Sequence, residues 1–140
     1  MNSSREDARR EAAAHQNSSA PYRLLSFVVN AGSAISATAN VCISLNGDAL
    51  ETVAFGSGPI DAAFHAVENV VQSGATLINY TIRALAGGND AQGEVTVTVC
   101  SEQGRQITAT GVSGDIIEAS IKAYVAAMNR LYALDHPASK

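Results

Sequence analysis

The apolar positions of this chain follow two periods. From Tyr22 onward, "YRLLSFVVN" and "TANVCISL" are rich in the β-branched and aromatic residues that fill strands. Asn46-Gly47 is a two-residue hairpin signal, so "ETVAF" beyond it reads as a third short strand. The period then lengthens. Ile60, Ala63, Phe64, Val67 and Val71 recur at the spacing of one helix face. Pro59 suits the first helical position, where its missing N–H costs nothing.

The second half repeats that order. "TLINYTIRAL" reads as a strand, "GGNDAQG" as a loop or hairpin turn, and "EVTVTVC" as a strand with clear alternation. Gln103-Gly104 turns the chain and "RQITATGV" returns. Ile117, Ile121, Tyr124, Met128 and Leu131 then form a second helical stripe. The halves align at an offset of 57, which takes Gly47 to Gly104, Ile60 to Ile117, Asp61 to Glu118, Phe64 to Ile121 and His65 to Lys122. The pattern predicts an internal duplication of a β-β-β-α unit, over about residues 22–73 and 76–134. One unit cannot cover its own sheet. Two together give an α+β domain, with two helices packed on antiparallel strands. Residues 1–20 are polar and charged, and read as a tail or linker with a short helix over Arg5–His15. The folded domain is expected over 21–140.

The acidic residues are placed for capping. Asp115 and Glu118 have capping-box spacing, and Asp61 and Glu118 fall in first helical turns, where the helix dipole favours negative charge. Composition narrows function by exclusion. The 140 residues suit one domain, with 46% hydrophobic and 16% charged residues. A net charge of −4 offers no basic field for nucleic acid or an anionic membrane. There is no apolar run long enough to span a bilayer, and the N-terminus lacks the apolar core of a signal peptide. Cys42 and Cys100 sit in apolar alternating runs and read as buried small hydrophobes in a reducing cytoplasm. His15, His65 and His136 are far apart, with no metal-ligand spacing. Gly56-Ser57-Gly58 runs into proline with no lysine partner, so it is neither a P-loop nor a nucleophile elbow.

What remains is a glycine-containing helix start in each half. Helix N-termini offer unpaired N–H donors suited to a small carboxylate. Gly58, Ala84, Ala91 and Gly93 are small enough to leave room beside an apolar guest. These features suggest a pocket for a small amphiphile such as an amino acid.

"GSGPIDAAFHAV", "INYTIRALAGGNDAQGEVTVTV" and "GVSGDIIEASIKAYVAAMNRL" closely resemble the C-terminal regulatory domain of 2-isopropylmalate synthase and the related citramalate synthase. The likeness covers about Tyr22 to Leu131. In that family the domain is two β-β-β-α units, dimerises, and binds the end-product amino acid as a feedback inhibitor. The resemblance therefore implies a leucine-binding homodimer that partners a catalytic barrel. The alternatives it leaves are an isoleucine sensor and a dimerisation-only module. Acetyl-CoA and the divalent metal belong to the barrel, so no cofactor is expected in this domain. Matching motif by motif, the implied effector residues are Gly56, Ser57, Gly58, Pro59 and Ile60, then Leu77, Tyr80 and Ala84, then Ala91 and Gly93, with Ile117 from the second helix. Ser57 stands where many members carry an acidic residue or Asn. A small enzyme is the remaining class, opposed by the lack of any converging nucleophile, base and metal set.

Overall fold

A computed structural model describes residues 20–32, 35–85 and 91–136. The elements run β1 (Tyr22–Gly32), β2 (Ile35–Leu45), β3 (Asp48–Gly56), α1 (Pro59–Val71), β4 (Thr76–Leu85), β5 (Gln92–Cys100), β6 (Gln106–Ser113) and α2 (Ile116–Asp135). β1-β2-β3 and β4-β5-β6 form two separate antiparallel sheets, each followed by its helix. The duplicated α+β unit is therefore the architecture. The helix expected over Arg5–His15, and most of the "GGNDAQG" turn, lie outside the described residues.

Alternation sets which face of each strand is buried. Ala37, Ala39, Val41 and Ile43 of β2 are buried, as are Val95, Val97 and Val99 of β5. Asn46 (φ 52°) and Gly47 (φ 95°) form the β2–β3 turn. Positive φ at both central residues is what a type I′ hairpin needs, and Asn-Gly reaches it at least cost. Gly104 (φ 88°) does the same within the longer Ser101–Arg105 turn, closed by Ser101 N–H to Arg105 O at 2.8 Å.

The offset of 57 holds from the third strand through the helix, where Gly58 and Asp115 are the two N-caps. It does not hold throughout. Ile43 pairs with Leu24 as Val99 pairs with Leu77, a slip of one residue in the middle strand and four in the first. Both first strands carry a bulge at the matching place, between Leu24 and Ser26 and between Leu77 and Asn79. Unequal hairpin loops cause the slip, and loop length is what duplication leaves freest.

The helices pack close because their buried faces are mostly alanine. Ala62, Ala63, Ala66, Ala119, Ala123 and Ala127 are fully buried, beside Phe64, Val67, Ile121, Met128 and Leu131. Burying each large side chain contributes about 1.5–3 kcal/mol. Close approach also needs glycine on the strands. A methyl on Gly56 would meet the Ala62 backbone, and one on Gly111 would meet the backbone of Ala119 and Ala123. α2 also holds the start of the other sheet. The Asn129 amide accepts from Tyr22 N–H at 2.9 Å and donates to Tyr22 O at 2.9 Å.

The sheets' outward faces differ. On the first, Val28 and Val53 flank Asn40, and Phe55 is 68% exposed. On the second, Thr81, Thr96 and Thr110 form one cross-strand row, and Arg83 pairs with Glu94. Cys42 and Cys100 point to these outward faces and are half-buried free thiols. The buried position expected for them is thus corrected. Each cysteine stands at the polar parity of its strand, with Thr38 and Asn40 in β2 and with Glu94, Thr96 and Thr98 in β5, so residue type suggested burial where the alternation turns the thiol outward.

Candidate functional site

The predicted site residues divide among three places. The first is the start of α1. Gly56 ends β3 and serves packing, as described above. Ser57 N–H and Oγ both donate to Asp61 Oδ2, at 2.9 and 3.3 Å. Gly58 is the N-cap, extended (φ −152°), with open space where a Cβ would stand. Pro59 opens the helix, and Ile60 packs partly buried against the core. Asp61 therefore reaches back to close its own turn, and His65 Nε2 lies 3.4 Å from Asp61 Oδ1. His65 Nδ1 lies 2.9 Å from the Phe55 carbonyl, which fixes Nδ1 as the protonated nitrogen. As the helical pattern indicated, His65 is on the exposed side.

The second place is an open crevice of about 250 Å³ between α1 and the start of β4. Leu77 lines it, with Asp61, Phe64, His65, Glu68, Ala75, Thr76 and Tyr124. Phe64 stacks on Tyr124 with ring centroids 4.6 Å apart, and meets Tyr80 edge-on at 6.1 Å. The crevice thus has an apolar wall and two carboxylates. Glu68 is well held: Ser73 Oγ donates to it at 2.8 Å, Gly74 N–H at 2.8 Å and Tyr124 OH at 3.2 Å. Burial, and then the Glu68 charge, pushes the Tyr124 phenol far above its ordinary range. It therefore stays a donor to Glu68.

The third place is the start of α2. Ala84 pairs with Gly93 across β4 and β5. A methyl on Gly93 would meet Ile116 Cδ1, and the Ala91 carbonyl lies 3.7 Å from where a Cβ on Gly114 would stand. Ile117 is half-buried, and its N–H donates to Asp115 Oδ1 at 2.9 Å. The expected capping box is only half formed. Glu118 does not return to the Asp115 N–H, which bonds Ser113 Oγ instead at 3.1 Å. Glu118 accepts from that same Ser113 hydroxyl at 2.8 Å, and this bond, then Lys122, lowers its carboxyl below the ordinary range. Serine at position 113 supplied a nearer donor than the helix start.

Tyr80 joins the second place to the third. Its hydroxyl lies 2.7 Å from Ser120 Oγ, and Ser120 in turn donates to Ile116 O at 2.7 Å. The chain thus brings Leu77 to the crevice, with Tyr80 behind its wall against Phe64, and Ala84, Ala91 and Gly93 to the α2 start. It does not bring the Gly56–Ile60 turn into the crevice wall, except through Asp61. Sequence reasoning missed Phe64, Glu68, Ser120 and Tyr124 as site residues. A polar-tipped tyrosine on an otherwise apolar stripe was the available signal. Among the described residues, no group of three or more His, Cys, Asp or Glu could hold a metal, and no helix is long and apolar enough to cross a membrane.

The family model of the LeuA allosteric (dimerisation) domain matches residues 6–132. The chain belongs to that family. The match reaches back into the polar segment before Tyr22. Among curated proteins, 2-isopropylmalate synthase of Burkholderia pseudomallei (strain 668) is 47% identical over 94 residues, 67% of this chain and 18% of the relative. That of Cupriavidus pinatubonensis is 40% identical over 111 residues, 79% of this chain and 21% of the relative. The chain thus spans about a fifth of the length of these relatives. What is matched is a regulatory domain, and the described residues form no catalytic barrel.

Proposed function

We propose that this LeuA-family domain senses leucine and acts as the feedback-regulatory, dimer-forming part of a 2-isopropylmalate synthase. The observation that carries the reading is the crevice beside β4. Phe64, Leu77 and Tyr124 offer a branched side chain an apolar wall. Asp61 and Glu68 offer an ammonium group two carboxylates. The N-terminal end of α1, which carries Asp61, favours a carboxylate through the helix dipole. The three chemical parts of an amino acid thus find three kinds of surface.

A second copy fits the same region. On the helix side of β4, Leu77 is 37% exposed and Ile82 51% exposed, because neither helix extends over this strand. Ala84 continues that row. Covering it with a partner would close the crevice mouth and draw Ala84, Ala91 and Gly93 toward one ligand.

Melting scans against the twenty amino acids test both parts. Leucine is expected to raise the melting temperature most, since ligand at 100 times its Kd stabilises by about 2.7 kcal/mol. An equal or larger shift with isoleucine would reassign the effector. The dimerisation-only reading has one observation in its favour: Asp61 and Glu68 already have protein partners. No shift with any amino acid, alongside a stable dimer in light scattering, would establish it.

A further inference from the structure

The C-terminal ends of both helices meet at one cavity of about 200 Å³, on the far side of the molecule's helix pair from the α1 start. Gln72, which caps α1, lines it, as do Asp135 and His136 at the end of α2. Met128 and Leu131 are among its lining residues and are buried, so it has an apolar floor. Tyr22 and Tyr132 make a corner, with rings 6.1 Å apart at 85°. His136 stacks on Tyr132 at 4.1 Å, and its Nδ1 lies 3.2 Å from Tyr132 O.

The lining holds one carboxylate, Asp135, one imidazole, His136, and no lysine or arginine. A helix C-terminus carries partial negative charge, which basic residues in the last turn ordinarily offset. Neither helix has one there. α2 ends instead on Asp135, adding a full negative charge to an end that already disfavours it. Arg105 reaches Asp135 from the β5–β6 turn at 3.4 Å, with both side chains 46% exposed. An exposed pair of that length contributes little. The Glu68 charge extends here too, since together with burial and Tyr132 it raises the Tyr22 phenol above its ordinary range. Two helix ends, a carboxylate, aromatic rings and an apolar floor make a set suited to a cation with an apolar body.

We propose that this cavity binds a small organic cation, the alkylammonium group of an amine or a quaternary ammonium compound. A metal ion fits less well, because no three ligating side chains converge among the described residues. A free amino acid fits less well too, because its carboxylate would face the two helix ends and Asp135. The inference stands apart from the leucine reading, which concerns the other end of α1.

Titration with tetramethylammonium and butylammonium chloride tests it, against sodium chloride at equal concentration. The chain has no tryptophan and four tyrosines, two of which, Tyr22 and Tyr132, form the corner, so a saturable change in tyrosine emission that is lost in Asp135→Asn reports on it. A saturable change is expected with the alkylammonium salts alone. Asp135→Asn should weaken it at least tenfold, and Tyr132→Leu should do the same. Asp135 is exposed, so its variant should fold as the parent does. Glu118→Gln removes the same charge elsewhere and should leave binding unchanged. A response no larger than with sodium chloride overturns the proposal. So does a saturable response that survives in Asp135→Asn, or one that falls equally in Glu118→Gln.

Discussion

The two repeats share a backbone and differ in what crosses between their helices. Tyr124 of α2 donates to Glu68 of α1 at 3.2 Å. The repeat-related positions are Val67 and Val125, both buried. Tyr80 pairs with Ser120 at 2.7 Å, where the first repeat has Phe27 and Ala63. α1 starts at Gly58 with no side-chain cap, while α2 starts at Asp115 with one. Equal backbones with unequal chemistry separate the scaffold from the site. Had both halves been kept alike, the domain would present two similar crevices. Instead the Glu68–Tyr124 pair has no counterpart in the other repeat relation, and the side that holds it holds the crevice. The way to test this is to make one repeat resemble the other, a position at a time.

The largest effect is expected at the strand glycines. Gly111 stands where the first repeat has Ala54, so Gly111→Ala makes the repeats alike. The new methyl would lie 2.6 Å from Ala123 N and 2.9 Å from Lys122 Cβ, as well as on the Ala119 carbonyl. Backbone cannot swing aside as a side chain can, so α2 must move. A loss of about 3 kcal/mol is expected in urea melts, the upper end for overpacking. A loss below about 1 kcal/mol would show that α2 shifts freely and that its contact with β6 is loose.

Asn129 comes next. Its repeat partner is Gln72, which ends α1 in a left-handed turn (φ 53°) and sends the chain to β4. α2 continues past this point and uses Asn129 to clamp Tyr22. Asn129→Ala leaves one N–H and one C=O of a partly buried strand end without those partners. A cost of about 2 kcal/mol is expected. Amide exchange at Tyr22 should accelerate more than exchange in β5. Equal acceleration in both would mean that the clamp serves the whole fold rather than the β1 start.

These two positions also show what sequence could and could not convey. The helix stripes, the Asn46-Gly47 turn, the Gly104 turn and the Asp115 cap were legible, because each is a local match of residue type to backbone. The first strands were legible as strands but not in register. A four-residue slip hidden in loop length leaves the alternation of "TLINYTIRAL" unchanged. Glu68 and Tyr124 were legible only as helix positions. Their bond joins residues 56 apart in sequence and depends on how two helices cross. The effector residues carried over by resemblance fall in three separate places on one chain, which no spacing within the sequence could show.

Tyr124→Phe makes the second repeat more like the first, whose equivalent is Val67. At neutral pH it should cost about 1 kcal/mol, for one hydrogen bond to a charged group that keeps other donors. The pH dependence is more telling. The folded-state pKa of Tyr124 is raised, so its contribution is fully present below the unfolded phenol value of about 10 and is lost as pH climbs above it. Chemical melts from pH 7 to 11 should show the parent losing stability more steeply above about pH 10 than the variant. Tyr22 shares the upward direction, so a residual slope should remain in Tyr124→Phe. Parallel curves would mean that the phenol ionises in the folded state as it does in water.

The smallest stability effect, and the sharpest separation of scaffold from site, is expected for Gly58→Asp. Asp115 occupies the repeat-related N-cap with extended backbone (φ −108°, ψ 116°), and Gly58 is extended too (φ −152°, ψ 176°). Nothing lies within 4 Å of the new Cβ, so the side chain enters without strain. An aspartate there can accept from the first-turn N–H groups, as Asp115 accepts from Ile117, and its charge suits the helix dipole. Against this stands Asp61, whose carboxylate already serves Ser57 in the same turn. Gain and repulsion are both small, so the melt should change by no more than about 0.5 kcal/mol. Leucine should respond differently. If its carboxylate docks at the α1 start, a fixed negative charge there opposes it, and affinity should fall at least tenfold, about 1.4 kcal/mol. Calorimetric titration beside thermal melts on both proteins resolves the two effects. Unchanged leucine binding in a folded variant would remove the α1 start from the site and leave the β4 crevice to hold the effector without it. An unfolded variant would show that the two N-caps, though both extended, are not interchangeable, and that the first repeat needs its glycine.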